Sequence, residues 1–487
     1  MSTQHPDNVH PPFFSDSSVL SGEDEIKEAF YAFSHLKIRE QLWDCEGKEV
    51  DNFVVKKLLS RYEPFFEANQ LGRDRFLTLR VQNPDVEKNE AKILLETLES
   101  IPRNYDVANV FYQNNIPPIF EVTVPMVSSS DVLVRIHQYY RKFVSGKNSA
   151  SLFENDVRIS EWIGRFYPED IIVTPLFEDM DSMLSADRIT EDYMRRMKPL
   201  NGDRPYQRVW LARSDPALNY GSASAVLLEK VVLQRLKALE ERTSTPILPI
   251  LGCGSAPFRG HFTPETADQI LKGYPSVHTF TAQSAFKYDY DESVVRKSVA
   301  SISEARTSNP APVEEEKVLP IIEKIKNQYQ KDVALAAPFI NDIAKFVPQR
   351  RKRVLHIGLF GYSRESAGIK LPRAIKFTAS LYSLGIPPEL LGLSALSEKD
   401  VEIILDSYKN FYFDHETAVR YFNRENLRIL PPSLRKSVEK AASLFDSEPD
   451  EKHTKITSII AKDYSKKNFA PMEENITRAA TLRKFLG

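Results

Sequence analysis

Side chains able to do chemistry recur in this sequence directly behind short apolar runs. Arg80 follows FLTL, Glu178 follows IIVTPLF, and Arg213 and Asp215 follow VWLA. Arg259 and His261 follow ILPILGCGSAPF, Gln283 and Lys287 follow HTFTA, and Arg364 follows HIGLFGYS, with Arg373 further on. The carboxylates Glu178 and Asp215 suit a Mg²⁺ ion, which takes one or two carboxylates and leaves its other positions to water and substrate oxygens. Arg259, Arg364 and Arg373 would supply planar forks for phosphate or carboxylate. A metal, several guanidiniums and a histidine or two describe a site for a small, multiply charged anion. Catalysis on such an anion rests on positioning and charge stabilisation.

Each residue also has a plain structural reading. A carboxylate at a strand end is more often the cap of the next helix than a ligand, and Ser214–Pro216 is itself an N-cap turn by type. Arginines at such places are solvated or salt-bridged about as often as functional. His356, inside an apolar run, reads as a core histidine. Only convergence of the whole set would make a site.

The elements that would bring about that convergence are legible. FLTLRV (Phe76–Val81), IFEVTV (Ile119–Val124), DIIVTPLF (Asp170–Phe177), QRVWLA (Gln207–Ala212), ILPILG (Ile247–Gly252), VHTFTA (Val277–Ala282) and RVLHIGLF (Arg353–Phe360) read as strands. Several are unbroken apolar runs, as strands buried on both faces of a parallel sheet must be. Between them, Glu90–Ile101, Ser224–Arg242 and Ala374–Leu384 carry apolar residues at helical spacing. Alternating strands and helices predict an α/β fold, and seven strands favour a TIM-type (β/α)8 barrel over a doubly wound sheet. In such a barrel the carboxyl ends of all strands open on one face. Ser145–Asp156, Ser303–Lys317 and Asp446–Lys455 are polar and turn-rich and read as insertions or linkers. The chain reads as a single barrel domain with an N-terminal extension over roughly residues 1–70 and a helical C-terminal region over roughly 395–487.

Composition narrows the function classes. Lys and Arg total 65 against 67 for Asp and Glu, without the basic excess usual in nucleic-acid proteins. Cys45 and Cys253 are the only cysteines and form no CxxC pair, which argues against a disulfide framework or structural zinc. The opening MSTQHPDNVHPPFF lacks a basic region followed by an apolar run, and no stretch has the length of a membrane span. A soluble, reduced, cytoplasmic protein is expected.

Taken in order, these segments resemble the phosphoenolpyruvate carboxylases, in particular their shorter archaeal-type branch. STQHPDN (Ser2–Asn8) is similar to the family's N-terminal histidine motif, PLFED (Pro175–Asp179) to its metal segment, and ARSDPALNYG (Ala212–Gly221) to the segment bringing the second metal carboxylate. GSAPFRG (Gly254–Gly260) resembles part of the glycine- and arginine-rich substrate loop, and GYSRESAGIKLPRAI (Gly361–Ile375) the segment with two phosphate-binding arginines. WDCEGKEVDN (Trp43–Asn52) and the closing ENITRAATLRKFLG are also similar to the archaeal-type branch. Leu218 stands where the bacterial-type metal segment has a lysine. The substrate loop is shorter here, so Arg259 matches either the bicarbonate-site arginine or the neighbouring substrate arginine. The chain is about half as long as the bacterial and plant enzymes, and their regulatory sites are not carried over.

The resemblance implies Mg²⁺-dependent carboxylation of phosphoenolpyruvate by bicarbonate, through carboxyphosphate and pyruvate enolate, to oxaloacetate and phosphate. Glu178 and Asp215 would hold Mg²⁺, with Mn²⁺ as the alternative ion. Arg364, Arg373, Arg259 and Arg213 would bind substrate, and His5, Arg259 and Arg364 would take part in catalysis. An imidazole suits the proton step at His5 because it ordinarily titrates near pH ~6.5. A histidine so close to a chain end usually frays, but the HPPFF that follows could dock and pin it. A homotetramer is also implied. A phosphonomutase or carbon–carbon lyase on the same kind of barrel would share the metal and anion clamp without needing bicarbonate. A non-catalytic anion-binding barrel would show no turnover.

Overall fold

The computed structural model describes residues 1–45, 51–88, 91–202, 204–352, 364–366 and 369–487, with the backbone alone at 201 and 364–366. Seven strands form one parallel sheet in sequence order: β1 (Glu40–Asp44), β2 (Phe76–Arg80), β3 (Glu121–Val124), β4 (Ile172–Phe177), β5 (Gln207–Leu211), β6 (Ile247–Leu251) and β7 (Thr279–Phe280). Each is followed by at least one helix, including Ala91–Tyr112 after β2 and Ser222–Thr243 after β5. Six of the seven strands expected from sequence are therefore present, and Arg353–Phe360 lies outside the described residues.

β1 was not expected. EQLWD is short, and only Leu42 and Trp43 in it are apolar. It pairs along its whole length with β2, from Glu40 opposite Phe76 to Asp44 opposite Arg80.

Strands β3 and β5 are buried at every position, which is why their sequences show no polar alternation. The sheet curls into a half-barrel. Arg208 of β5 reaches Glu40 of β1 at 2.7 and 3.0 Å, Glu121 of β3 at 3.0 Å and Thr279 of β7 at 3.3 Å. A flat sheet would hold those strands too far apart for one side chain to touch. Leu42, Leu176, Trp210 and Ile250, from β1, β4, β5 and β6, form an apolar cluster with Met1 beside them. Ser2 bridges to Gln41 on one side and Ala282 on the other. Its N–H donates to Glu40 O at 2.7 Å and its carbonyl accepts from Leu42 N at 2.9 Å, while Thr3 N donates to Ala282 O at 3.0 Å.

Past the sheet, the long helix Glu315–Ile343 leads to the antiparallel pair β8 (Arg364–Ser366) and β9 (Ile369–Leu371) and a helical remainder ending with Met472–Arg483. Helix Ala374–Ser383 matches its expected bounds within a residue, and the helix expected at Glu90–Ile101 runs on through Pro102 to Tyr112. The expected linker Ser303–Lys317 joins helices Glu292–Glu304 and Glu315–Ile343. Among the described residues, no helix is long and apolar enough to cross a membrane. Both cysteines are buried, and among the described residues neither forms a disulfide.

Candidate active site

The ends of β4 and β5 bring two of the expected carboxylates out at the same level. Phe177 lies opposite Leu211, and Ala212 N donates to Phe177 O at 3.0 Å. Glu178 thus leaves β4 level with Ala212, and Asp215 stands in the first turn of helix Ser214–Tyr220 directly after β5. Both carboxylates are half-buried. Asp179, the neighbour of Glu178, takes the capping role, accepting from Ser182 N at 3.0 Å. The plain cap reading therefore belongs to Asp179 rather than Glu178.

Arg259 is the hub of this region and is only 2% exposed. Its Nε donates to Ser214 Oγ at 3.0 Å, beside Asp215. Nη1 donates to Asp7 at 3.4 Å and to the carbonyl of Gly487 at 2.8 Å, and Nη2 donates to Gln283 Oε1 at 2.6 Å. These four bonds leave one of the five guanidinium hydrogens for another acceptor. Burial pulls the pKa of Arg259 below its ordinary value, against the pull of Asp7. Gly254 makes room for it: a Cβ at that position would lie 2.8 Å from Arg259 Nη1. That contact gives a physical reason for the glycine in GSAPFRG.

The N-terminal segment is anchored by side chains rather than by regular structure. Asp7, fully buried, accepts from Ala285 N at 2.7 Å and Ser255 N at 3.1 Å, and burial pushes its carboxyl above the ordinary range. Asp289 accepts from Val9 N at 2.7 Å and His10 N at 2.9 Å. Lys287, a strand-end residue picked out from sequence, donates to Ser2 Oγ at 3.0 Å, Thr3 O at 2.9 Å and Glu28 at 2.9 Å. His5 is held between these anchors, half-buried, with Nδ1 3.0 Å from Thr3 Oγ1 and its carbonyl accepting from Ser284 N at 3.1 Å. Of the aromatic pair expected to pin the terminus, Phe14 packs 5.9 Å from Tyr288 and 5.7 Å from Tyr31, and Phe13, though 75% exposed, sets its ring edge-on 5.2 Å from Tyr31.

Other sequence candidates are placed differently. Arg213 is buried, with Nη1 donating to Glu229 at 2.6 Å and Tyr274 Oη at 2.9 Å. Burial alone would lower its pKa, but Glu229 and Tyr274 raise it well above the ordinary value. Arg80 makes a two-bonded pair with Asp44 at 2.8 Å each, tying β1 to β2 at their carboxyl ends. His261 Nδ1 contacts Asp414 at 2.7 Å. Arg373 is exposed at the start of helix Ala374–Ser383. Two residues further, Ile375 O lies against the chain at Gly487, where an added Cβ would come within 2.1 Å of it. Arg364 is in β8 opposite Leu371, but its side chain, like His356, lies outside the described residues.

The sequence matches the family profile described as phosphoenolpyruvate carboxylase over residues 1–487. The chain belongs to the phosphoenolpyruvate carboxylase family. Enzymes of that name from Methanospirillum hungatei and Pyrococcus horikoshii are 49% and 48% identical to it over 487 residues, and one from Methanothermobacter thermautotrophicus is 50% identical over 488. In all three, the alignment covers 100% of this chain and 99% of the relative. A malate synthase of Haloferax volcanii aligns with 91% of this chain and 96% of its own at 10% identity, but its TM-score of 0.37 is too low to carry an argument.

Within this carboxylase family member, sequence reasoning missed Asp7, Asp44, Ser214, Glu229 and Gly487. Asp7, Ser214 and Gly487 lie inside segments that already stood out, so their motifs were the available signal. Asp44 likewise falls within WDCEGKEVDN, but nothing in the sequence pairs it with Arg80, and Glu229 had no signal at all, because these partners are identified only by packing.

Proposed function

We propose that this chain is a carboxy-lyase that joins phosphoenolpyruvate and bicarbonate to give oxaloacetate and phosphate. The family match along all 487 residues carries this reading. The arrangement around Arg259 supports it, since residues from the N-terminal motif, the second metal segment and the substrate loop meet there.

Glu178 and Asp215 are the residues that would hold Mg²⁺, or Mn²⁺ as the alternative. Two hard oxygen donors leaving neighbouring strands fit an ion that takes one or two carboxylates. Among the described residues, no three His, Cys, Asp or Glu side chains group for a metal. When bound, the ion supplies charge and Lewis acidity to substrate oxygens.

The protein's own groups do the rest. Arg364 and Arg373 grip the phosphoryl group so that bicarbonate can meet it in line. A bicarbonate oxygen attacks phosphorus and the bond to the enol oxygen breaks, giving carboxyphosphate and pyruvate enolate. His5 takes the carboxyphosphate proton, the C–O bond to phosphate breaks, and CO₂ is released beside the enolate carbon, which attacks it. Arg259 steadies the carboxyphosphate charge with its remaining N–H and fixes Ser214 next to Asp215. Arg213, with Nη1 committed to Glu229 and Tyr274, supports the turn that presents Asp215.

We also infer that the half-barrel is a closed (β/α)8 barrel, a reading supported by Ser2 bridging Gln41 of β1 and Ala282, two residues past β7. Homotetramers in the cytoplasm complete the proposal. Self-association is supported by the excursion around Ser145–Asp156, where Phe143, Leu152, Phe153, Val157, Trp162 and Ile163 are each 56% exposed or more. Light scattering on Trp162→Glu should then report a smaller particle than the unmodified chain.

The test of the reaction is a coupled assay with phosphoenolpyruvate and Mg²⁺, with and without bicarbonate, following oxaloacetate through malate dehydrogenase. Bicarbonate-dependent NADH loss matched by phosphate release supports the reading. Consumption of phosphoenolpyruvate without oxaloacetate moves the chemistry to a mutase or lyase, and no turnover by folded protein removes the enzyme reading.

A further inference from the structure

At the end of the sheet away from Glu178 and Asp215, a hollow of about 560 Å³ is lined by Lys37, Arg39, Arg75, Arg296 and Lys297. Arg39 immediately precedes β1 and Arg75 immediately precedes β2. Because Glu40 lies opposite Phe76 and Phe76 N donates to Arg39 O at 2.8 Å, the two arginines leave neighbouring strands side by side. The opposite wall is helix Glu292–Glu304, where Arg296, Ala300 and Ser303 share one face.

Among the described residues, no carboxylate lines this hollow. The chain as a whole is nearly neutral, with 65 basic and 67 acidic residues, so five cations around one hollow are a local concentration. Gathering like charges costs Coulomb energy unless an anion offsets it. Arg296 has Glu292 on its own helix, 4.0 Å away. Among the described residues, Arg75 makes no carboxylate hydrogen bond. Its Nη1 donates to the backbone carbonyl of Asp74 at 2.9 Å, its buried Nε has no partner, and its guanidinium lies 5.7 Å from the centre of the Phe65 ring. Burial, followed by the nearness of Arg39, lowers the pKa of Arg75.

We propose that this hollow binds a phosphorylated small molecule carrying at least two phosphate charges. Guanidiniums match phosphate oxygens in fork geometry. The volume lies within the range of small-molecule sites, roughly 300–1,000 Å³. Val299, Ala300 and the aliphatic stems of the cations give it an apolar floor for an organic part. The site is separate from the catalytic one but not remote from the segment that carries His5. Arg39 adjoins Glu40, whose carbonyl accepts the Ser2 N–H at 2.7 Å.

The experiment is calorimetric titration of the full chain, free of divalent metal, with pyrophosphate and separately with ATP. The unmodified protein should bind with a Kd below about 1 mM. The surface double variant Arg39→Gln/Arg296→Gln should weaken binding by roughly a hundredfold, about tenfold for each charged hydrogen-bonding group removed. Its carboxylation rate without either probe should be unchanged, and Arg373→Gln should bind both probes as the unmodified chain does. ATP binding more tightly than pyrophosphate assigns part of the affinity to the organic moiety, whereas equal affinity assigns it to the phosphates alone. The proposal fails if neither probe saturates, if the double variant binds normally, if Arg373→Gln abolishes binding, or if single-stranded RNA binds where both small probes do not.

Discussion

Arg259 Nη1 donates to the carbonyl oxygen of Gly487 at 2.8 Å, joining residues 228 positions apart in the sequence. The same guanidinium reaches Asp7, Ser214 and Gln283. One buried cation therefore ties both ends of the described chain to the loops after β5, β6 and β7. Leu486 N completes the junction by donating to Asp7 O at 2.7 Å.

Gly487→Ala tests that junction. Its Cβ would lie 2.1 Å from Ile375 O and 2.6 Å from Ala379 N, so residue 487 must shift. The expected result is a fall in kcat/KM of at least about tenfold with a small change in melting temperature. Steady-state kinetics beside a thermal melt decides it, and unmodified kinetics would remove residue 487 from the working site.

His5→Asn should abolish oxaloacetate formation, by roughly 10²–10⁴-fold if His5 moves the proton. Phosphoenolpyruvate binding, followed by fluorescence or calorimetry, should stay close to normal, because the anchors at Asp7, Asp289 and Lys287 are untouched. Near-normal carboxylation by this variant would show that the role is wrong.

Glu178→Gln and Asp215→Asn should each raise the Mg²⁺ concentration needed for half-maximal rate, by more than about tenfold. The double variant should show no metal-stimulated turnover. If both single variants titrate with Mg²⁺ like the unmodified chain, the metal is held elsewhere.

Glu389 gives a pH dependence of stability. Its carboxyl is buried, accepts from Tyr382 Oη at 2.7 Å, and is pushed by burial from 4.5 up to about 7. The folded chain therefore keeps a proton that the unfolded chain releases above pH 4.5, so the stabilisation is complete below that pH. It is lost as pH rises through about 7, a contribution of about 3 kcal/mol. Urea midpoints at pH 5 and pH 8 should differ less in Glu389→Gln than in the unmodified protein. An equal difference would mean that other groups set the slope.

Arg213 and Glu229 form a buried pair, at 3% and 0% side-chain exposure. Removing either partner alone should cost about 3–5 kcal/mol, because a buried charge loses its counterpart. Arg213→Met/Glu229→Met should be less destabilised than the sum of the two single variants, as measured in a double-mutant cycle by urea unfolding.

The sequence by itself determined an α/β fold with a parallel sheet, six of the strands and the residues that follow them. Unbroken apolar runs such as IIVTPLF and VWLA can be buried only on both faces, and a polar residue directly after such a run must sit at the strand's end. Glu178, Asp215 and Arg259 were legible for that reason. β1 was not, since EQLWD has too few apolar residues to signal a strand, and its place depends on pairing with β2 and Ser2. Tertiary structure alone decided which arginine meets which acceptor. Arg213 and Arg259 look alike in sequence, both following strands. Yet one is held by Glu229 and Tyr274, while the other spans Asp7, Ser214, Gln283 and Gly487. A guanidinium's reach is set by which chain segments pack within hydrogen-bonding distance, and no spacing along the sequence encodes that distance.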